Sequence, residues 1–295
     1  MAAVADLESF AIDANGLRFA CLVAGPADGP LALCLHGFPD TAATWRHLLP
    51  TLAEAGYRAV APFMRGFAPT GIPADGCYQL GALVRDATCL HEALGGDDQA
   101  VLLGHDWGAL ATYGALAHQP SRWRRAVAVA VPPLLATAAS FFTYDQLRRS
   151  WYQFFFQSPA ADGAVMADDY AFVGRLWADW SPGYDATADV ARVKAALDGP
   201  ERVAAALGYY RAVWGGGPAD DALAEEQAAV LAPTPVPTLY LHGADDGCMG
   251  LEIVEDPLAS LAAGSAFEVV PGAGHFCHLE QPELVGRLVM AHLAS

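Results

Sequence analysis

Short, almost continuously apolar runs alternate with longer segments of helical pattern through most of the sequence. The runs LALCLHG, QAVLLGH and VPTLYLHG show little alternation of polar and apolar residues, as is typical of strands that are covered on both faces of a parallel sheet. Asn15-Gly16 separates two further apolar segments and predicts a hairpin. The sequence therefore predicts an α/β fold with a mostly parallel, eight-stranded sheet flanked by helices.

The alternation stops over residues 133–233, where aromatic residues and helical patterns dominate. The strand pattern then returns in VPTLYLHG and AFEVVPGAG. We therefore predict a core domain formed by residues 1–132 and 234–295, with an inserted helical lid (cap) domain over residues 133–233.

Composition excludes several classes of function. A net charge of −17 argues against nucleic-acid binding, because no basic cluster would neutralise phosphates. No signal peptide or uncharged apolar run of membrane-spanning length is apparent, so we expect a cytoplasmic protein with no membrane partner. The cysteines are scattered without a C-x-x-C pair, which favours reduced thiols over disulfides or a metal site. They are Cys21, Cys34, Cys77, Cys89, Cys248 and Cys277.

The segment LLGHDWGALATYG, residues 102–114, predicts a strand, a sharp turn and a helix. Its G-H-D-W-G core has the form of the G-x-S-x-G nucleophile elbow, with Asp106 in the place of the serine. Such a turn raises the central side chain above the sheet. Asp106 is therefore the candidate nucleophile, although an aspartate in such a turn can also cap the following helix.

Two backbone N–H groups are candidates for an oxyanion hole. Phe38 follows the strand LALCLHG, and Trp107 follows the candidate nucleophile. Donors in these places stabilise negative charge on a carbonyl oxygen. We also expect the side chains of Phe38 and Trp107 to wall the substrate pocket.

The remaining members of a triad are expected after the last two strands, in the chain order nucleophile, acid, histidine. LHGADDG offers Asp245 or Asp246, and the spacing from Gly243 favours Asp246. GAGHFCHLEQPE offers His275, while we expect His278 to be a surface or capping histidine.

The segments HGFP, GHDWG and GAGHFCHLEQPE resemble those of α/β-hydrolases of the epoxide hydrolase and dehalogenase branch. The resemblance extends over nearly the full chain. It implies catalysis by Asp106, His275 and Asp246 without a metal or cofactor. One departure is the loop Phe63-Met64-Arg65-Gly66, where this branch often has an acidic residue two positions before the arginine.

A carboxylate that attacks a saturated carbon forms an ester, whereas attack on an ester carbonyl would give an anhydride. Water activated by His275 would hydrolyse the ester on Asp106, with Asp246 orienting the histidine. The substrate is therefore expected to be an electrophile at carbon, which leaves epoxides and halides as candidates.

Two tyrosines favour an epoxide, because its opening produces a basic alkoxide that needs a proton. SWYQFFFQSP and LGYYRAVW resemble epoxide hydrolase lid segments in which one tyrosine precedes Gln and another precedes Arg. The resemblance implies Tyr152 and Tyr210 as catalytic, substrate-binding acids, with Tyr209 as an alternative to Tyr210. We therefore predict an epoxide hydrolase that forms a vicinal diol.

Other functions remain as alternatives. In a haloalkane dehalogenase, the indole of Trp107 would bind halide. A haloacid substrate is disfavoured, because fluoroacetate dehalogenases have arginine at this position. A ligand-binding module without catalysis is the second alternative. The expected partner is a small apolar or aromatic epoxide, suggested by Phe141, Phe142, Phe154, Phe155 and Phe156. The oligomeric state is left open, with a homo-oligomer among the alternatives.

Overall fold

A computed structural model describes residues 7–137 and 140–295. Its eight strands are β1 (Glu8–Ala14), β2 (Leu17–Ala24), β3 (Leu31–Leu35), β4 (Arg58–Pro62), β5 (Val101–His105), β6 (Arg125–Val129), β7 (Thr238–Gly243) and β8 (Ala266–Val270). They form a single sheet in the order β1-β2-β4-β3-β5-β6-β7-β8. β2 pairs antiparallel with β1 and β4, and the other pairs are parallel. The predicted α/β fold with a mostly parallel, eight-stranded sheet is confirmed.

The helices alternate with strands β3 to β6 and then follow one another between β6 and β7. They are α1 (Leu48–Glu54), α2 (Leu80–Ala93), α3 (Trp107–His118), α4 (Leu134–Thr137), α5 (Tyr144–Arg149), α6 (Trp151–Phe155), α7 (Ala161–Trp180), α8 (Thr187–Ala196), α9 (Pro200–Val213), α10 (Ala224–Ala229), α11 (Cys277–Glu280) and α12 (Pro282–Ala294). The backbone of α7 is non-helical at residues 167–170. No helix in the described part of the chain is long and apolar enough to cross a membrane.

Both faces of the sheet are buried, which explains why its central strands are apolar throughout. In β5, Leu102 belongs to one apolar core, together with residues of α2 and α3. Val101 and Leu103 point to the opposite face and belong to a second core, formed with α1 and α12. Successive side chains of a strand alternate between faces, so a strand covered on both sides has no polar face.

The parallel pairing places four segments with candidate site residues at one edge of the sheet. The segments that contain Phe38, Asp106, Asp246 and His275 follow β3, β5, β7 and β8, respectively. The carboxyl ends of parallel strands meet at the same edge, where ligands of α/β folds bind. The fold therefore brings together residues that are far apart in the sequence.

Helices α4 to α10 all lie in the chain between β6 and β7. These two strands are direct neighbours in the sheet, with Val127 opposite Leu239. Helix α9 contacts α7 and α2, whereas α10 packs against α2 and α3 of the sheet-flanking layer. The division at residues 133 and 233 stays a prediction.

Candidate active site

Asp106 lies where β5 passes directly into α3. Its backbone has φ 54° and ψ −117°, a conformation that non-glycine residues rarely adopt. A Cβ atom on Gly108 would lie 2.2 Å from the carbonyl oxygen of Leu35. Only glycine therefore fits there, and the tight packing holds the strained turn in place.

The two oxygens of the Asp106 carboxylate have different surroundings. Oδ1 accepts a hydrogen bond of 2.8 Å from the backbone N–H of Phe38. Oδ2 lies 3.6 Å from Nε2 of His275. Trp107, the second expected donor, is the first residue of α3, and backbone N–H groups at a helix N-terminus favour negative charge. Oδ1 therefore contacts the expected donor Phe38, whereas Oδ2 faces His275.

Gly37 is a functional position that sequence reasoning missed. A Cβ atom on this residue would lie 2.1 Å from Oδ1 of Asp106. The glycine thus allows the backbone before Phe38 to approach the carboxylate. Gly37 belongs to the HGFP segment, but no local pattern in that segment indicates that its neighbour is Asp106.

His275 is held between two carboxylates. Its Nδ1 lies 3.0 Å from Oδ2 of Asp246, while its backbone N–H donates to the carbonyl of Trp180 at 2.9 Å. The other oxygen of Asp246 accepts hydrogen bonds from the backbone N–H groups of Cys248 and Met249, at 2.7 and 2.9 Å. Asp246 therefore contacts the histidine. Its neighbour Asp245 is exposed.

The two carboxylates determine the protonation of His275. Burial alone would lower the pKa of its imidazole, but the charges of Asp246 and Asp106 outweigh burial and raise the pKa to about 10. At neutral pH, His275 is therefore an imidazolium that pairs with Asp106. Loss of the negative charge on Asp106 would therefore lower the pKa of His275.

This pKa predicts how stability depends on pH. An unperturbed histidine has a pKa of about 6.5, so the folded protein binds the His275 proton more tightly than the unfolded chain. The contribution to stability is complete below about pH 6.5 and is lost as pH rises toward about 10. We expect the free energy of unfolding of the wild type, measured by urea titration, to fall relative to that of His275→Gln over this range. The slope is at most about 1.4 kcal/mol per pH unit. Parallel curves would contradict the raised pKa.

A cavity of about 330 Å³ extends from Asp106 between the core and the helices that follow β6. Its lining is largely apolar, with a few polar groups near Asp106. The lining residues are Leu80, Asp106, Trp107, Leu110, Val131, Leu134, Thr137, Phe141, Phe142, Tyr152, Gln153, Tyr210, Val213, Trp214, Leu231, Cys248 and Met249. Asp106 therefore lies in a space of ligand size.

Tyr152 and Tyr210 both line this cavity, with ring centroids 5.5 Å apart. The Tyr152 hydroxyl lies 3.4 Å from Sγ of Cys248. The Tyr210 hydroxyl has no hydrogen-bond partner among the described residues. Burial raises the pKa of both phenols well above the usual value. Both therefore remain protonated and can donate a hydrogen bond to a substrate.

Tyr209, the alternative to Tyr210, points elsewhere. Its hydroxyl donates to the backbone carbonyl of Arg65 at 2.8 Å, and the residue is absent from the cavity lining. Arg65 belongs to the loop that departs from the family pattern, and its guanidinium forms a buried ion pair with Asp86.

Several expected cavity residues have other positions. The Phe38 ring is fully buried, packs edge-on against Tyr210 and Phe156, and does not line the cavity. The expectation that the ring walls the pocket is therefore corrected: the ring packs behind Tyr210, and the backbone N–H is the group of Phe38 that contacts Asp106. Of the five phenylalanines considered, Phe141 and Phe142 line the cavity, whereas Phe156 packs behind the tyrosines.

The expected surface position of His278 is wrong. The residue is buried, its Nε2 lies 2.5 Å from Oγ1 of Thr44, and its ring packs 4.6 Å from that of His105. His105 in turn donates from Nε2 to the carbonyl oxygen of His275 at 3.1 Å. A second histidine three residues after the first thus supports the loop that carries His275.

Asp40, His105 and His278 place three possible metal ligands within 4.8 Å of one another. Nδ1 of His105 lies 3.9 Å from Oδ2 of Asp40. Two ligands of a tetrahedral zinc ion, each about 2.0 Å from the metal, would be about 3.3 Å apart. The separation of Asp40 and His105 is therefore wider than that of two zinc ligands.

Comparisons with known proteins agree with the fold. A family model described as "alpha/beta hydrolase fold" matches residues 30–282. The AB hydrolase superfamily protein YfhM of Bacillus subtilis is 26% identical over 291 residues, which cover 96% of this chain and 97% of that protein. Epoxide hydrolase A of Mycobacterium tuberculosis is 31% identical over 193 residues, covering 64% of this chain and 60% of that protein.

A solved structure is also similar to this chain. It is described as one of the novel epoxide hydrolases belonging to the alpha/beta hydrolases superfamily in metagenomes from hot environments. It is 25% identical, with a TM-score of 0.81, and the match covers 97% of this chain and 98% of that one. The chain therefore belongs to the alpha/beta hydrolase family.

Proposed function

We propose that this hydrolase converts an epoxide into a vicinal diol through an ester formed on Asp106. One observation carries the proposal: the Asp106 carboxylate and the hydroxyl-bearing side chains of Tyr152 and Tyr210 line the same cavity. This combination supplies a nucleophile for carbon together with acids for the leaving oxygen.

In the first step, Oδ2 of Asp106 attacks an epoxide carbon and the ring C–O bond breaks. The leaving oxygen takes a proton from Tyr152 or Tyr210, which forms a hydroxyalkyl ester and a tyrosinate. Since burial disfavours a charged phenol, the tyrosinate is short-lived. We infer that it recovers its proton from the His275 imidazolium, whose pKa falls once Asp106 is esterified.

In the second step, neutral His275 accepts a proton from water, and the resulting hydroxide attacks the ester carbonyl. The oxyanion forms at Oδ1, where the N–H groups of Phe38 and Trp107 stabilise it; a single such donor typically contributes about 3 kcal/mol. Collapse releases the diol oxygen, which takes the proton of the resulting carboxylic acid. Asp106 is then again a carboxylate beside the His275 imidazolium.

Isotope labelling tests the two-step route. In a single turnover with excess enzyme in heavy-oxygen water, the diol should carry only ordinary oxygen, because its new hydroxyl comes from Asp106. The label should appear in Asp106, and mass spectrometry of the diol and of the peptide that contains this residue measures both. Label in the first-turnover diol would show direct attack by water.

A haloalkane dehalogenase is the second candidate, favoured by one observation. The indole Nε1 of Trp107, which lines the cavity, is buried without a hydrogen-bond acceptor in the described structure. It could donate to a departing halide. The two tyrosine hydroxyls favour the epoxide, because a halide leaves as a stable anion and needs no proton.

A further inference from the structure

The cavity has a buried end and an end that reaches solvent. At the buried end, Asp106, Tyr152 and Tyr210 are at most 6% exposed. At the other end, Phe142 and Leu231 are 62% and 56% exposed although both line the cavity. Exposed apolar side chains that form a contiguous patch beside a cavity are typical of ligand-binding grooves. We call this end the mouth and define it by Phe141, Phe142, Val213, Trp214 and Leu231.

Aromatic rings dominate one side of the mouth. Trp214 lies 6.2 Å from Phe141, 6.3 Å from Phe142 and 4.8 Å from Phe154, measured between ring centroids. The rings form one contiguous apolar surface that extends from the cavity to solvent. A substrate whose reactive carbon reaches Asp106 would therefore pass its remaining atoms along this surface.

The mouth lacks a counterion for a charged substrate. Among the described residues that line the cavity, Asp106 is the only charged one. Arg211, which follows Tyr210, is engaged by Asp162 at 2.7 Å, and Arg149 is paired with Glu252. The net charge of −17 further disfavours anions.

We propose that the substrates are neutral epoxides with an extended alkyl or aryl substituent that lies along the mouth, and that epoxides with a nearby carboxylate are rejected. This inference rests on the proposed function. It concerns the atoms of the substrate that do not react. A substrate carboxylate at the mouth would lose its hydration without gaining a cationic partner.

A matched pair of substrates tests the charge. The methyl ester of 5,6-epoxyhexanoic acid and the free acid have the same epoxide and chain, but only the acid is anionic at pH 8. We expect kcat/KM for the ester to exceed that for the acid by at least about 100-fold. For 1,2-epoxyalkanes, kcat/KM should rise about fourfold per methylene while the chain lies in the cavity. Equal values for ester and acid, or no dependence on chain length, would overturn the inference.

A positive charge introduced at the mouth provides a second test of the proposed rejection of anionic substrates. Phe142→Lys should reduce the ester-to-acid ratio by about threefold to fivefold, as expected for a solvent-exposed ion pair. Tyr144→Lys is the matched control, because Tyr144 is 76% exposed and does not line the cavity. An equal change in both variants would indicate a general effect of net charge and would contradict a specific mouth.

A binding measurement separates this inference from the proposed function. Trp107 and Trp214 line the cavity, so their fluorescence should report on occupancy. We expect 4-phenylbutyramide to bind at least tenfold more tightly than 4-phenylbutyrate. If no epoxide is hydrolysed, the proposed function fails. The ratio of the two affinities would still show whether the cavity prefers a neutral ligand to an anion. Equal affinities would overturn the inference even in an active enzyme.

Discussion

Replacing His275 by glutamine should stop the enzyme at the ester on Asp106. The glutamine cannot act as a general base, so turnover should fall by about 10³-fold or more. Attack by Asp106 does not require a base, because the carboxylate is already ionised in the proposed resting state. Intact-protein mass spectrometry after addition of an epoxide should therefore show one added substrate mass, located on the peptide that contains Asp106.

Two variants control this experiment. Asp106→Asn should show neither turnover nor the adduct, because the nucleophile is removed. His118→Gln makes the same substitution at the end of α3, outside the cavity lining, and should hydrolyse epoxides like the wild type. If His275→Gln forms no adduct while the wild type turns over, the covalent route is wrong.

The double variant Tyr152→Phe/Tyr210→Phe should lose most epoxide opening. Each single change removes one acid while the other hydroxyl remains, so a loss of about tenfold or more is expected; the double change should cost about 10³-fold. Folding should change little, because the Tyr210 hydroxyl has no partner among the residues described and that of Tyr152 makes only long contacts. Rapid-quench measurement of ester formation reports the affected step.

Tyr209→Phe is the matched control for a buried tyrosine. It removes the hydrogen bond to Arg65 and should lower stability by about 1 kcal/mol without slowing ring opening. A folded double variant that opens epoxides at the wild-type rate would contradict the role of the tyrosines. Turnover of haloalkanes by that variant would then favour the dehalogenase reaction, with Trp107 as the halide donor.

The sheet could be predicted because its signals are local. A continuous apolar run followed by G-H-D-W-G indicates both a buried strand and a turn without knowledge of any other segment. The order in which Asp106, Asp246 and His275 follow their strands then predicts that they meet, since parallel strands share one carboxyl edge.

Contacts between distant segments had no such signal. His278 belongs to a short segment of mixed polar and apolar residues, and it packs against Thr44 and Trp45, which are more than 200 positions away. The Phe38 ring and Phe142 are equally apolar in sequence, yet the first is fully buried and the second mostly exposed. In a segment rich in aromatic residues, apolar character alone does not distinguish core from cavity.

The neighbouring position of β6 and β7 has an evolutionary consequence. The chain leaves the sheet at Val129 and returns at Thr238, so everything between these residues begins and ends beside the same pair of strands. Closing a flexible loop twice as long costs only about 0.6 kcal/mol more. Insertions and exchanges between these points can therefore accumulate without changing the order of the strands, provided that the hydrogen bond between Trp180 and His275 is kept. Selection could thus diversify the compounds that such an enzyme accepts while Asp106, Asp246 and His275, which lie outside this segment, are inherited unchanged.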